Sequence, residues 1–138
     1  MKKISKVGHS TRKKLVKRLD DLTSAIVRLN ESQCVVCGST TQMGNGHVFS
    51  RKSYSIRWDL RSDGNCHNQC WSCNYRHVTD QYPYFDWYIK KFGQKRFDEL
   101  RREFKTTRIL KDWQLEEMVV EYKVIYDELV CSKDLPWE

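Results

Sequence analysis

The residues with the clearest chemistry are cysteines. Cys34-Val35-Val36-Cys37 and Cys70-Trp71-Ser72-Cys73 are each a C-x2-C pair. Two thiolates on a tight turn can face one ion, and two such pairs complete a tetrahedral zinc site. With four sulfurs and no open position, the expected zinc is structural. It closes a long loop, and its binding energy becomes folding energy. The competing readings are chance pairing and disulfides. Around the pairs stand residues suited to phosphodiester hydrolysis, which needs a base to activate water and a cation to hold the phosphate and the leaving oxygen. His47, in Gly46-His47-Val48-Phe49-Ser50-Arg51, is the expected base, with Gly46 leaving its imidazole open to an approaching backbone. Asn65 is expected to hydrogen-bond and orient that ring. His67 alternates with Asn65 on an extended segment, so it is expected to reach the same site. Asn74 and His77, three residues apart on a helix, share a face. They are expected to hold a catalytic magnesium or manganese ion between them, or to divide metal and phosphate. His67 and His77 have a blander reading, in which each only caps or packs.

These residues need elements to position them. Residues 1–10 read as a flexible basic arm. Residues 11–30 read as a helix, since Leu15, Leu19, Leu22, Ile26 and Leu29 repeat at alternating four- and three-residue steps. Packing of this stripe within the chain is favoured over dimerisation. Residues 31–80 form the metal-bound centre. His47-Val48-Phe49 is expected as a short strand and Ile56–Leu60 as a second, with Ser62-Asp63-Gly64 as a turn. A helix should begin near Cys73 and be interrupted or restarted at Pro83. Phe85, Tyr88, Ile89 and Phe92 have helical spacing, and Gly93 should close that helix. Residues 81–138 continue with helices over 94–104 and 112–130. The last should turn Leu115, Met118, Val119, Tyr122, Ile125, Tyr126 and Leu129 inward, and Glu116, Glu117, Glu121, Asp127 and Glu128 outward. The whole is read as one α+β domain over residues 1–138, with helices on either side of a small metal-bound centre.

The chain of 138 residues carries a net charge of +7, which favours a polyanionic partner, most simply nucleic acid. Arg51, Lys52, Arg57 and Arg61 lie between the expected base and the expected helix. Lys13, Lys14, Lys17 and Arg18 belong to an N-terminal run without acid, and a third basic run spans residues 90–108. Each run alone reads equally well as a solvated face. Around a nuclease-like centre they are expected to contact phosphates. Tyr82, Tyr84, Phe85, Trp87 and Tyr88 are read as core rather than as a base-stacking platform. No apolar run is long enough to cross a membrane, and the first residues lack the apolar stretch of a signal peptide. A reducing cytoplasm is therefore expected, where paired cysteines bind metal more often than they form disulfides. Cys66 and Cys131 are read as buried core cysteines.

The order C-x2-C, Gly-His, Asn, C-x2-C-Asn resembles the HNH endonucleases of the ββα-metal class. The phrases Gly46–Arg51 and Asn65-Cys66-His67-Asn68-Gln69-Cys70-Trp71-Ser72-Cys73-Asn74 are closer still to the phage NinG/Rap group. The resemblance covers about residues 30–105. It implies a ββα-metal centre, a hydrolase acting on branched recombination DNA such as Holliday junctions and D-loops, and a host-cell cytoplasmic location. It places His47 as general base, Asn65 as the central Asn and Asn74 as a metal ligand. Two departures matter. Gly46 stands where many HNH enzymes have an Asp or His ligand, so His67, His77, Asn45 or Asp63 would have to serve. Asn74 is a neutral and weaker ligand than His. A junction with two-fold character needs two cuts, which suggests a homodimer. Two other readings stay open: a non-catalytic zinc module that binds nucleic acid, and an HNH nicking endonuclease without structure preference.

Overall fold

A computed structural model of the chain describes residues 2–133, with side chains from residue 11 onward. Among them are five helices and one antiparallel hairpin. The order is α1 (Lys2–Asn30), β1 (Met43–His47), β2 (Cys66–Cys70), α2 (Trp71–His77), α3 (Tyr82–Phe92), α4 (Gln94–Lys105) and α5 (Asp112–Lys133). The chain divides into two compact units. One joins Met1–Ile26 with Ile109–Glu138, and the other is Val27–Arg108.

In the first unit Leu19, Ile26, Leu110 and Leu115 are buried, and Arg12 Nη1 meets Asp112 Oδ1 at 2.9 Å. Leu19 and Ile26 belong to the apolar stripe read from the sequence. Helix α1 already runs from Lys2, which corrects the expectation of a flexible arm over residues 1–10. Apart from Gly8, that segment has no strong helix breaker, so the periodic helix can extend through it. On α5 the five acidic residues of the expected outer face are exposed. So are Trp113, Val120 and Val124, while Leu115 is the buried member of the expected inner face.

The second unit is built on the hairpin. Its register pairs Gly46 with His67 and His47 with Cys66. Directly paired residues share a face and neighbours along a strand alternate. His47 and Cys66 therefore face one way, and Gly46 and His67 face the other. The aromatic core holds Val48, Phe49, Ile56, Tyr84, Tyr88, Phe97 and Leu100. Here Tyr84 and Tyr88 are packing residues, whereas Tyr82 is 72 % exposed.

The strands differ from expectation. The first ends at His47, Ile56–Trp58 form a turn and Asp59 and Leu60 are irregular, and the second strand is Cys66–Cys70. Ile56 and Trp58 are buried as expected of a strand, but within an irregular loop. A buried loop must find partners for its backbone, and the Asn65 side chain supplies them. Its Oδ1 accepts from Phe49 N–H at 2.7 Å, and its Nδ2 donates to Phe49 O at 2.9 Å and Ile56 O at 3.2 Å. Helix α2 starts two residues earlier than expected because Cys70 caps it, its Sγ accepting from Cys73 N–H at 3.4 Å. Pro83 sits in the first turn of α3, where its missing N–H is harmless. Gly93 ends α3 at φ +92°, with its N–H on Ile89 O at 2.8 Å. Cys66 is buried, but Cys131 is exposed near the end of α5, contrary to its reading as a core residue.

Candidate functional site

The two cysteine pairs come together. The sulfurs of Cys34, Cys37, Cys70 and Cys73 all lie within 4.8 Å of one another, and those of Cys37 and Cys70 are 3.6 Å apart. Zinc–sulfur bonds of about 2.3 Å in a tetrahedron place sulfurs about 3.8 Å apart. The cluster therefore fits a structural metal such as zinc, both in donor type and in spacing. Its first turn is closed by Gly38 N–H on Cys34 O at 2.9 Å, with Gly38 at φ +78°. Burial pushes the Cys34 thiol up, but backbone N–H groups of Cys70, Cys37 and Val36 outweigh it and bring the pKa down to about 7. Cys73 is driven the other way, by burial and by the neighbouring Cys70, Cys37 and Cys34 thiols. A divalent cation among the sulfurs would remove that opposition and let all four ionise.

His47 ends β1, half-buried, with Nε2 on Arg57 O at 2.9 Å. A carbonyl oxygen only accepts, so Nε2 carries a proton, and in the neutral tautomer the lone pair is on Nδ1. The ring is fixed by the loop backbone rather than by the Asn65 side chain. Asn65, fully buried, acts at one remove. It grips Ile56 O, next to the Arg57 carbonyl that holds His47. Asp59 fixes this arrangement from below: Oδ2 accepts from Asn65 N–H at 3.0 Å, and a Cβ on Gly64 would lie 2.5 Å from the Asp59 carboxylate. Cys66 Sγ donates to the same Arg57 carbonyl at 3.4 Å.

The structure does not bring His67 to His47. His67 is 4 % exposed on the opposite face, with Nε2 donating to Gly64 O at 2.8 Å. Its ring lies among Trp87, Tyr88 and Phe92, and Nδ1 is 3.6 Å from Glu31 Oε1. His77 ends α2 and donates from Nε2 to Val48 O at 2.9 Å; its Nδ1 is buried without a hydrogen-bond partner. Asn74 is half-buried one turn earlier, and its side chain makes no hydrogen bond among the described residues. Asn45, which shares the His47 face of β1, also has a buried Oδ1 without a partner. Asp63 accepts from Arg96 Nε at 3.0 Å. Gly46 has a steric reason to be glycine, since a Cβ there would meet Gln69 Oε1 at 2.2 Å and Gln69 Cβ at 2.8 Å. Among the described residues, the four cysteines are the one group of three or more His, Cys, Asp or Glu side chains close enough to surround an ion.

The expected phosphate contacts also separate. Arg51 and Lys52 are exposed and outside any ion pair among the described residues. Arg57 lies over the Tyr54 and Trp58 rings at 5.9 and 5.5 Å, and donates to Arg51 O at 3.2 Å. Arg61 is held by Asp59 at 2.7 Å and Glu103 at 2.5 Å, and both raise its pKa. Its guanidinium, though exposed, is engaged by both carboxylates. Lys13, Lys14 and Arg18 are exposed on α1, and Lys17 pairs with Asp21 at 3.2 Å. Three contributors to the site escape a reading of the sequence: Glu31, Asp59 and the Arg57 carbonyl. Asp59, two residues before Arg61 and six before Asn65, has the spacing of a loop-closing carboxylate, a signal that could have found it. The Arg57 carbonyl leaves no mark in a sequence, and neither does the long-range reach of Glu31.

The fold and site define a helix-rich protein with a small antiparallel hairpin and a four-cysteine cluster able to hold a structural metal. The family of the bacteriophage lambda NinG protein matches residues 1–130, and the chain belongs to that family. No curated protein matches the chain, and no solved structure does either. No helix among the described residues is long and apolar enough to cross a membrane.

Proposed function

We propose that this protein is a divalent-metal-dependent DNA endonuclease of the HNH, ββα-metal type, cleaving branched recombination intermediates such as Holliday junctions and D-loops. The observation that carries the reading is the state of His47. It stands at the end of the first strand of a hairpin that leads into a short helix, with its Nε2 proton given to Arg57 O. In that tautomer Nδ1 is the basic nitrogen of the ring, and the proposal gives it the task of taking a proton from water. Asn65 holds the loop that holds His47, and the cysteine cluster ties the start of this segment to its end. A magnesium or manganese ion would neutralise the phosphate and stabilise the leaving oxygen. Asn74 and His77 through Nδ1, one turn apart on α2, would offer it acceptors that no donor occupies among the described residues. Such a neutral ligand set relies on phosphate oxygens of the DNA to complete it. His67 is assigned to packing in this reading.

The substrate class rests on family membership and charge. The Val27–Arg108 unit has fourteen Lys and Arg against eight Asp and Glu, suited to recognising phosphate placement rather than sequence. A homodimer acting in the host cytoplasm fits two cuts on a junction. The neutral Asn74 and the blocked Gly46 favour a second reading, a zinc module that binds DNA without cutting it. The deciding experiment incubates a synthetic four-way junction and a linear duplex with wild type and His47→Ala, in magnesium, manganese and EDTA. The proposal expects metal-dependent cuts near the branch, absent in the variant. Equal cutting of both DNAs would leave a nuclease without structure preference. No cutting under any condition would leave the binding module.

A further inference from the structure

Phe49, Phe85, Phe97 and Phe104 pack ring against ring in the Val27–Arg108 unit, Phe49 and Phe97 buried and Phe85 and Phe104 half-buried, and together they line a surface cavity. The cavity is about 340 Å³, at the small end of the range for ligand sites. Phe49 and Phe104 stack at 5.3 Å with 19° between planes, and Phe85 and Phe97 close the floor at 5.0 Å from each other. Arg101 and Lys105, one helical turn apart on α4, stand at the rim; both are exposed and neither forms an ion pair among the described residues. Gln81 completes the rim. It occupies the N-cap of α3, yet its side chain does not cap the helix.

We propose that this pocket receives one unstacked DNA base, with Arg101 and Lys105 on the flanking phosphates and the Gln81 amide at the edge of the base. An aromatic cleft favours a flat apolar ring, and base–aromatic stacking is tolerant of sequence. Two unpaired cations at its mouth favour an anion attached to that ring, which a nucleotide provides. The pocket adjoins the candidate nuclease centre through covalent and packing links. Phe49 follows His47 by two residues, its backbone is held by Asn65, and the Phe85 ring lies 5.5 Å from His77. A base is least costly to extrude where it is already unpaired, as at a branch or a bulge. The pocket would then contribute to the preference for disrupted over continuous duplex. This inference rests on the DNA reading above, but not on cleavage.

The test measures binding by fluorescence anisotropy in EDTA, so that chemistry plays no part. Three DNAs are compared: a duplex with one unpaired adenine, the same duplex with an abasic residue at that position, and the continuous duplex. Wild type should bind the unpaired base roughly ten-fold tighter than the abasic DNA. Phe104→Leu, which keeps apolar volume and removes the ring, should bring that ratio to about one. Arg101→Gln with Lys105→Gln should weaken binding to both bulged DNAs while the ratio persists. If Phe104→Leu fails to fold by circular dichroism, Gln81→Trp, which places an indole at the mouth, should abolish the ratio instead. Equal wild-type affinity for base and abasic DNA overturns the proposal, as does a ratio that survives in folded Phe104→Leu or in Gln81→Trp. An intact ratio in a protein that cuts no DNA with any metal would support the pocket and reject the nuclease.

Discussion

The two faces of one small hairpin give two histidines opposite fates. On one face, His47 is half-buried and bonded to a loop carbonyl. On the other, His67 is enclosed by Trp87, Tyr88 and Phe92 and bonded to Gly64 O. They are nearly opposite in register, His67 pairing with the residue before His47. What separates them is strand alternation, which turns a one-residue offset into opposite surroundings. A half-solvated histidine whose tautomer is fixed by a carbonyl suits proton transfer. A histidine surrounded by rings contributes packing and one satisfied hydrogen bond.

Mutations can break this comparison in order of size. The largest effect should come from the residue anchoring both faces. Cys70 ends β2, caps α2 and belongs to the cysteine cluster. Cys70→Ser, or zinc removal by a strong chelator, should unfold the Val27–Arg108 unit, because structural zinc contributes on the order of 10 kcal/mol to such folds. Elemental analysis should find one zinc per chain in the wild type. A folded, metal-free wild type would overturn the structural-metal reading. Next is His67→Ala, which leaves a cavity among three aromatic rings and removes the donor to Gly64 O. It should destabilise by about 2–4 kcal/mol in urea melts. If the structure survives that change, cleavage should fall only with the folded fraction.

His47→Ala should do the reverse. Its ring is half-buried and hydrogen-bonds a loop carbonyl, so stability should change by about 1 kcal/mol. Zinc content and DNA affinity should stay near wild type, while cleavage should fall by roughly 10²-fold or more. A variant with full activity would place the base elsewhere. One that unfolds would make His47 a second structural histidine and erase the contrast between the faces.

The difference between the faces also marks what is legible in the sequence. The cysteine cluster is legible because C-x2-C spacing is local and its chemistry is specific. The helices α3 and α4 are legible for a similar reason, with Pro83 and Gly93 acting on the backbone beside them. Alternation of residues 65 and 67 puts His67 with His47 when the sequence is read alone. That inference fails because Asn65 itself sits in the loop before β2 and acts on Phe49 and Ile56 through its side chain. The buried run from Ile56 resembles a strand because burial and period are shared by strands and clasped loops. Only the hydrogen bonds of Asn65, reaching 9 and 16 residues back, tell them apart.

The smallest effect tests which face meets DNA. Arg51 and Lys52 belong with His47: the Arg51 carbonyl accepts from Arg57, and the Arg57 carbonyl holds the His47 ring. Lys91 belongs with His67, since its ammonium lies over Trp87 at 5.7 Å and Phe92 at 5.9 Å, two of the rings around that histidine. All three are exposed cations, so composition alone treats them alike. If DNA lies along the His47 face, Arg51→Gln with Lys52→Gln should make the salt dependence of binding shallower, by up to about 0.9 in log–log slope for each phosphate no longer neutralised. Lys91→Gln should leave the slope unchanged, although it too removes a positive charge. The measurement is junction affinity across a salt series in EDTA, for wild type and both variants. Equal slope changes per charge removed would mean that the cations act through net charge alone. A change confined to Lys91→Gln would put the DNA on the His67 face and detach it from the proposed base.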